Sequence, residues 1–221
     1  MKPTVLLVML ALTSPARADT TAVYAAPATH FSMTVKIASS GDIRAELPDR
    51  TYYFIAGQDY YAERTSTGVI VMKVDDMAKV IAEDIAKFSA RLGTKSINVP
   101  ALTLVRRGTV RIGKWAGDAY YVQGATWSPR PVVVISHDPS LIELGRAMKR
   151  QYAKSGAMMA MMTQGHEPIL KMGYVLDSGA PISYAGAELQ SVSFAPIPKA
   201  EFVLPAQAVS IDDVRKRMRK E

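Results

Sequence analysis

Few residues in this chain have the type and spacing that chemistry requires. Val175-Leu176-Asp177-Ser178-Gly179-Ala180 matches the aspartic-protease loop, two apolar residues followed by Asp-Ser-Gly. That reaction needs two carboxylates sharing one proton. The chain holds one copy, so a homodimer would have to supply the second. Asp-Ser-Gly before Pro181 is equally an ordinary hairpin-turn sequence. Residues 156–166 gather Met158, Met159, Met161 and Met162 near His166. Thioethers are soft ligands suited to Cu(I), and Met is also the adaptable filler of apolar cores and grooves. His30, His137 and His166 are the three histidines. Leu stands at position 170, so His166-Glu167 lacks the second histidine of H-E-x-x-H. His137-Asp138-Pro139 reads as a strand entering a helix cap, and His30 falls on the polar face of its strand. Neither G-x-G-x-x-G, G-x-x-x-x-G-K-[ST] nor G-x-S-x-G occurs, so the usual anchors of nucleotide and hydrolase sites are missing. The expectation is a protein that is not an enzyme and takes no cofactor and no metal. Cu(I) binding and a dimeric protease stay as remote alternatives.

Strands must position most of these residues. Over 30–37, Phe31, Met33, Val35 and Ile37 alternate with polar residues, the period of a half-buried strand. Further strands are expected at 43–47, 50–56, 60–64 and 69–74, joined by tight polar turns as an antiparallel meander. Asp75-Asp76 then opens a helix to about Leu92, with Val80, Ile81, Ile85, Phe88 and Leu92 as one stripe. Strands return at 102–106, 109–115, 119–123 and 132–136, with turns at Arg107-Gly108 and Ala116-Gly117-Asp118. Asp138-Pro139 begins a second helix. It carries Leu141, Leu144, Met148 and Tyr152 on one face and Arg146, Lys149, Arg150 and Lys154 on another. Strands at 169–176, 182–185 and 188–195 follow, then 202–204. Ser210 and Asp213 are spaced as a capping box for a short basic helix over 214–219.

Residues 1–18 read as a secretory signal: Lys2, an apolar run over 5–12, and Ala16-Arg17-Ala18 as the cleavage site. Removing them takes Lys2 and Arg17 from a 221-residue chain of net charge +7, leaving 203 residues at +5. That balance falls short of a nucleic-acid-binding footprint. The full chain is 48% hydrophobic, enough for the remainder to bury one sizeable core. The absence of cysteine removes disulfides, thiol nucleophiles and an N-terminal lipidated cysteine. The expectation is a periplasmic protein: signal peptide 1–18, a single domain 19–206 and a basic tail 207–221.

The run of strands interrupted by two helices, with Thr109 to Val122, then Val132 to Pro139, and the ending Phe202-Val203-Leu204-Pro205-Ala206, resembles the half-barrel proteins of the bacterial envelope. These are the LolA/LolB-type lipoprotein carriers and their uncharacterised relatives. Gln207 departs from the glycine frequent after the closing Pro-Ala of those relatives. The resemblance implies an α+β fold, a curved antiparallel sheet of 10–11 strands whose concave face, covered by two helices, holds acyl chains. The expected function is therefore binding of an apolar ligand, lipid or acyl chain, lined by Tyr61, Met72, Ile85, Phe88, Trp115, Tyr121, Met148, Met159 and Met162. Arg146, Lys149 and Arg150 are expected to rest on an anionic membrane surface or another envelope protein. A factor for envelope assembly or stress, acting through its surface, is the alternative.

Overall fold

Alternate side chains of the N-terminal strands point into one core, and that alternation fixes their register. A computed structural model describes residues 18–26, 29–92, 103–123, 130–162, 173–184 and 186–218. Six strands come first: β1 (Thr20–Ala26), β2 (Phe31–Ile37), β3 (Ile43–Glu46), β4 (Arg50–Ile55), β5 (Gln58–Thr65) and β6 (Gly68–Lys73). After helix α1 (Val74–Leu92) come β7 (Thr103–Ile112), β8 (Trp115–Gln123) and β9 (Val133–Ser136). A 3-10 turn (Pro139–Leu141) feeds α2 (Ile142–Met162), and β10 (Ala180–Tyr184) and β11 (Ala187–Ser193) complete the sheet. A second 3-10 turn (Lys199–Phe202) and α3 (Ile211–Met218) end the described chain.

All eleven strands form one antiparallel, unclosed sheet in the order β6-β5-β4-β3-β2-β1-β11-β10-β9-β8-β7. Two meanders are therefore joined in the middle by the pairing of β1 with β11. Cross-strand partners Ala22, Val35, Ala45 and Tyr52 share one face, all buried. Leu141, Leu144, Ala147 and Met148 from the α2 region pack into the same cluster. Tyr24 is fully buried there, and its hydroxyl donates to the Pro181 carbonyl at 2.6 Å. Desolvation pushes its pKa well above the usual phenol value.

The opposite face is crossed by the chain after β11. Glu201 accepts from Lys36 at 2.9 Å and Arg44 at 2.7 Å, while Leu204 and Ala208 pack on Tyr53 and Val71. The Val209 N–H then donates to the Val71 carbonyl at 2.9 Å on the outer side of β6. α3 docks on α1 through Val214, Val80 and Met72, and Arg215 pairs with Glu83 at 3.0 Å. The region expected as a basic tail is thus fastened as far as Met218. The expected capping box forms: Ser210 Oγ accepts from the Asp213 N–H at 3.2 Å and donates to its carboxylate at 2.7 Å. Ser210→Ala should weaken α3 by about 1 kcal/mol. Faster amide exchange confined to residues 213–218 would report the loss, and unchanged exchange would refute it.

Five local expectations are corrected. The segment before His30, where no strand was expected, holds strand β1, with Thr20, Ala22, Tyr24 and Ala26 buried. Gly108 does not turn the chain; it sits at φ +71° in a bulge, so 102–106 and 109–115 become one strand, β7. The turn is at Gly113, φ +55°. Gly117 lies inside β8, where a Cβ would stand 2.6 Å from the Ile135 carbonyl oxygen, so its smallness serves close strand approach. Residues 173–176, expected as strand, form a helical turn with Leu176 buried on Val133 and Ile135; 169–172 lie outside the described residues. Finally, 202–204 form no strand, because Phe202 closes the 3-10 turn.

Candidate functional site

Between the α2-bearing face of the sheet and α2 itself lies a cavity of about 470 Å³. Its floor is built from the sheet: Ala26 of β1, Phe31 and Met33 of β2, Leu47 after β3, Tyr61 of β5 and Tyr184 of β10. Met148, Gln151 and Tyr152 project from successive turns of α2, and Leu176 comes from the helical turn before β10. The Tyr152 and Tyr184 rings meet edge to face, with centroids 6.5 Å apart. Burial raises the pKa of both phenols, keeping them neutral. Thr29, Gln151 and Arg50 add polarity; among the described residues, Arg50 is the one charged residue of the lining.

Beside the cavity, α2 is tied to the sheet by a buried carboxylate. Asp59, 1% exposed on β5, accepts from the Tyr52 hydroxyl at 2.5 Å and from Arg150 at 3.1 Å. The Arg150 guanidinium lies 3.5 Å from the Phe54 ring centroid. Desolvation, then the bond to Asp59, pushes the Tyr52 pKa upward. Lys154 reaches Asp75 at 2.9 Å and Asp59 at 3.6 Å, and it holds the Asp75 carboxyl below the usual range.

Of the residues expected to line a ligand site, Tyr61 and Met148 do line the cavity. Met72 instead packs in the seam between α1 and α3, and Ile85 is half-buried on α1. Trp115 and Tyr121 belong to the core under β8, with Lys114 and Arg107 over their rings. The side chains of Phe88, Met159 and Met162 lie outside the described residues, as does His166. Sequence reasoning missed Ala26, Leu47, Leu176 and Tyr184. Phe31, Met33 and Tyr152 had been placed on apolar faces, but nothing in their spacing told a bordered space from a filled core.

Arg146 and Lys149 stand on the exposed side of α2, paired with Glu143 and Asp177. Arg150 departs from the expected basic face: its position on the helix carries it to Phe54 and Asp59, where a buried carboxylate holds it. Asp177 is exposed, and its N–H closes the helical turn on the Tyr174 carbonyl at 3.2 Å. His137 Nδ1 donates to the Ser178 carbonyl at 2.7 Å, and its Nε2 lies 3.3 Å from an Asp118 carboxylate oxygen. Arg106 chiefly, and His137 with it, hold Asp118 below the normal carboxylate range. Among the described residues no group of three or more His, Asp or Glu is placed to hold a metal ion, and no helix is long and apolar enough to cross a membrane. Comparison with family models, curated proteins and solved structures finds no match to this chain.

Proposed function

We propose that the protein is a non-catalytic periplasmic binding protein for an apolar ligand, a lipid or acyl chain, held between a curved half-barrel sheet and the helices over its concave face. The observation that supports this reading is the cavity of about 470 Å³, within the size range of small-molecule sites and walled mainly by apolar and aromatic side chains. Each methylene moved from water into such a space gains about 0.8 kcal/mol. A chain of roughly eight methylenes therefore gains about 6 kcal/mol before the cost of association. Met33 and Met148, unbranched and polarisable, let the walls adapt to chain shape.

The test is binding of an uncharged lipophilic fluorophore, with native mass spectrometry of protein purified gently from its own compartment. Wild type is expected to enhance the fluorescence and to carry lipid. Met148→Trp, which fills the space from α2, should weaken fluorophore binding about tenfold, a loss of roughly 1.4 kcal/mol, while its circular dichroism stays that of wild type. Equal binding by a folded Met148→Trp would move the ligand elsewhere, and a clean apo mass with no fluorescence gain would end the proposal.

A further inference from the structure

The cavity does not end at its apolar walls. Leu47 and Arg50, flanking the β3–β4 turn, line it and also line a second cleft of about 260 Å³ on the opposite face of the sheet, reached round that turn. The second cleft has the opposite chemistry. It is bordered by Arg44, Arg50 and Arg64, with Glu46 as its carboxylate. Glu46 is already held by Arg44 at 3.0 Å and Lys36 at 3.1 Å. Arg64 is exposed and makes no hydrogen bond or ion pair among the described residues. Arg50 pairs with Asp49 at 2.8 Å, but both side chains are more than half exposed, and such a pair contributes little and exchanges readily. An apolar chamber on one face thus meets a guanidinium-rich cleft on the other only at the β3–β4 turn, with one arginine common to both.

We propose that this cleft takes the anionic head of an amphiphile, a phosphate or a carboxylate, whose chain occupies the cavity. The inference rests on the apolar-ligand reading above and adds the charge of the ligand. Arg50 and Arg64 suit the role because a guanidinium meets either anion with paired N–H donors. The shared chemistry comes from two sources, a lipid phosphate or a free fatty-acid carboxylate.

Displacement of the uncharged fluorophore distinguishes them. Dodecanol, dodecanoate and dodecyl phosphate carry the same chain and differ in the head. At low salt in mildly alkaline buffer, at least one of the two anions is expected to displace the fluorophore from wild type at about tenfold lower concentration than dodecanol. The stronger anion identifies the source. Salt should shrink the advantage, and Arg50→Gln combined with Arg64→Gln should abolish it, read as the ratio of anion to dodecanol displacement within the same variant. Equal displacement by all three in wild type, or an anion advantage that survives the double substitution, overturns the inference and leaves the apolar-ligand reading intact. Failure of wild type to bind the fluorophore or any of the three removes both.

Discussion

Asp59→Ala is expected to lower the unfolding free energy by roughly 3 kcal/mol, the lower end of the range for breaking a buried ion pair. Asp59 itself is 1% exposed, so its removal strands two donors at once, the Tyr52 hydroxyl and the Arg150 guanidinium. Arg150 keeps 37% side-chain exposure and the face of Phe54, which lets water and the ring replace part of the lost partner. Lys154 retains Asp75 and should contribute less. Urea unfolding of Asp59→Ala, Arg150→Met and the double variant measures the pair. The double variant should be more stable than the sum of the single losses predicts, by about 1–3 kcal/mol. Strict additivity would show that Asp59 acts through Tyr52 alone. Because the pair joins β5 to α2, Asp59→Ala should also increase amide exchange in α2 around residue 150.

Gly179→Ala is expected to be as costly, about 3 kcal/mol, for reasons of space alone. A Cβ there would run into the Ser136 carbonyl oxygen, and it would stand 2.9 Å from Cγ2 of Ile135. The backbone oxygen belongs to the sheet and cannot retreat as a flexible side chain would, so the overpacking falls at the upper end of its usual range. Gly145 completes the contact from α2, where a Cβ would lie 2.9 Å from the Gly179 carbonyl oxygen. Two glycines therefore seat the helix against the strand-bearing layer. A thermal unfolding curve should show the Gly179→Ala midpoint lower by about 9 °C, given 2–4 °C per kcal/mol for a chain of this size. Gly186→Ala supplies the contrast. Nothing lies within 4 Å of its Cβ, yet its φ of +84° strains any L side chain, so its loss is conformational and should be smaller. Equal midpoints for Gly179→Ala and wild type would refute the packing argument.

Alternation made β2 legible, and the turns carrying Gly, Asp or Ser marked off β3 to β6. The cap of α2 was legible too, since Asp138 accepts from the Ser140 N–H at 2.9 Å ahead of Pro139. β1 was not, because Thr-Thr-Ala-Val-Tyr-Ala-Ala has small residues at buried positions and gains its place by pairing on both sides. Gly108 and Gly117 looked like turns because a glycine that bulges, or that admits a neighbouring backbone, has the same letter as one that turns. The cavity was half legible for a related reason. Apolar faces can be read from period, but whether facing side chains meet or leave a gap depends on distances between elements far apart in the chain. Met148 and Tyr61 meet across that gap, whereas Met72 and Trp115 have equally apolar surroundings already filled. The inward turn of Arg150 was hidden because its partner Asp59 lies in a strand whose own pattern gave the carboxylate no role.

The pairing of β1 with β11 also sets a schedule. The strands that join the two halves of the sheet are the first and the last in chain order among the described residues. Neighbouring hairpins can form as soon as their turns emerge, but the seam between the meanders must wait until β11 has been made. Loop closure over so long a separation is slow. Until then β1 offers a bare edge flanked by the already apolar face of β2, the kind of surface that aggregates or engages chaperones. A nascent chain truncated before Ala187 therefore holds at most one of the two partners of its own central strand, and completion of the last seven-residue strand is the event that commits the molecule to its fold.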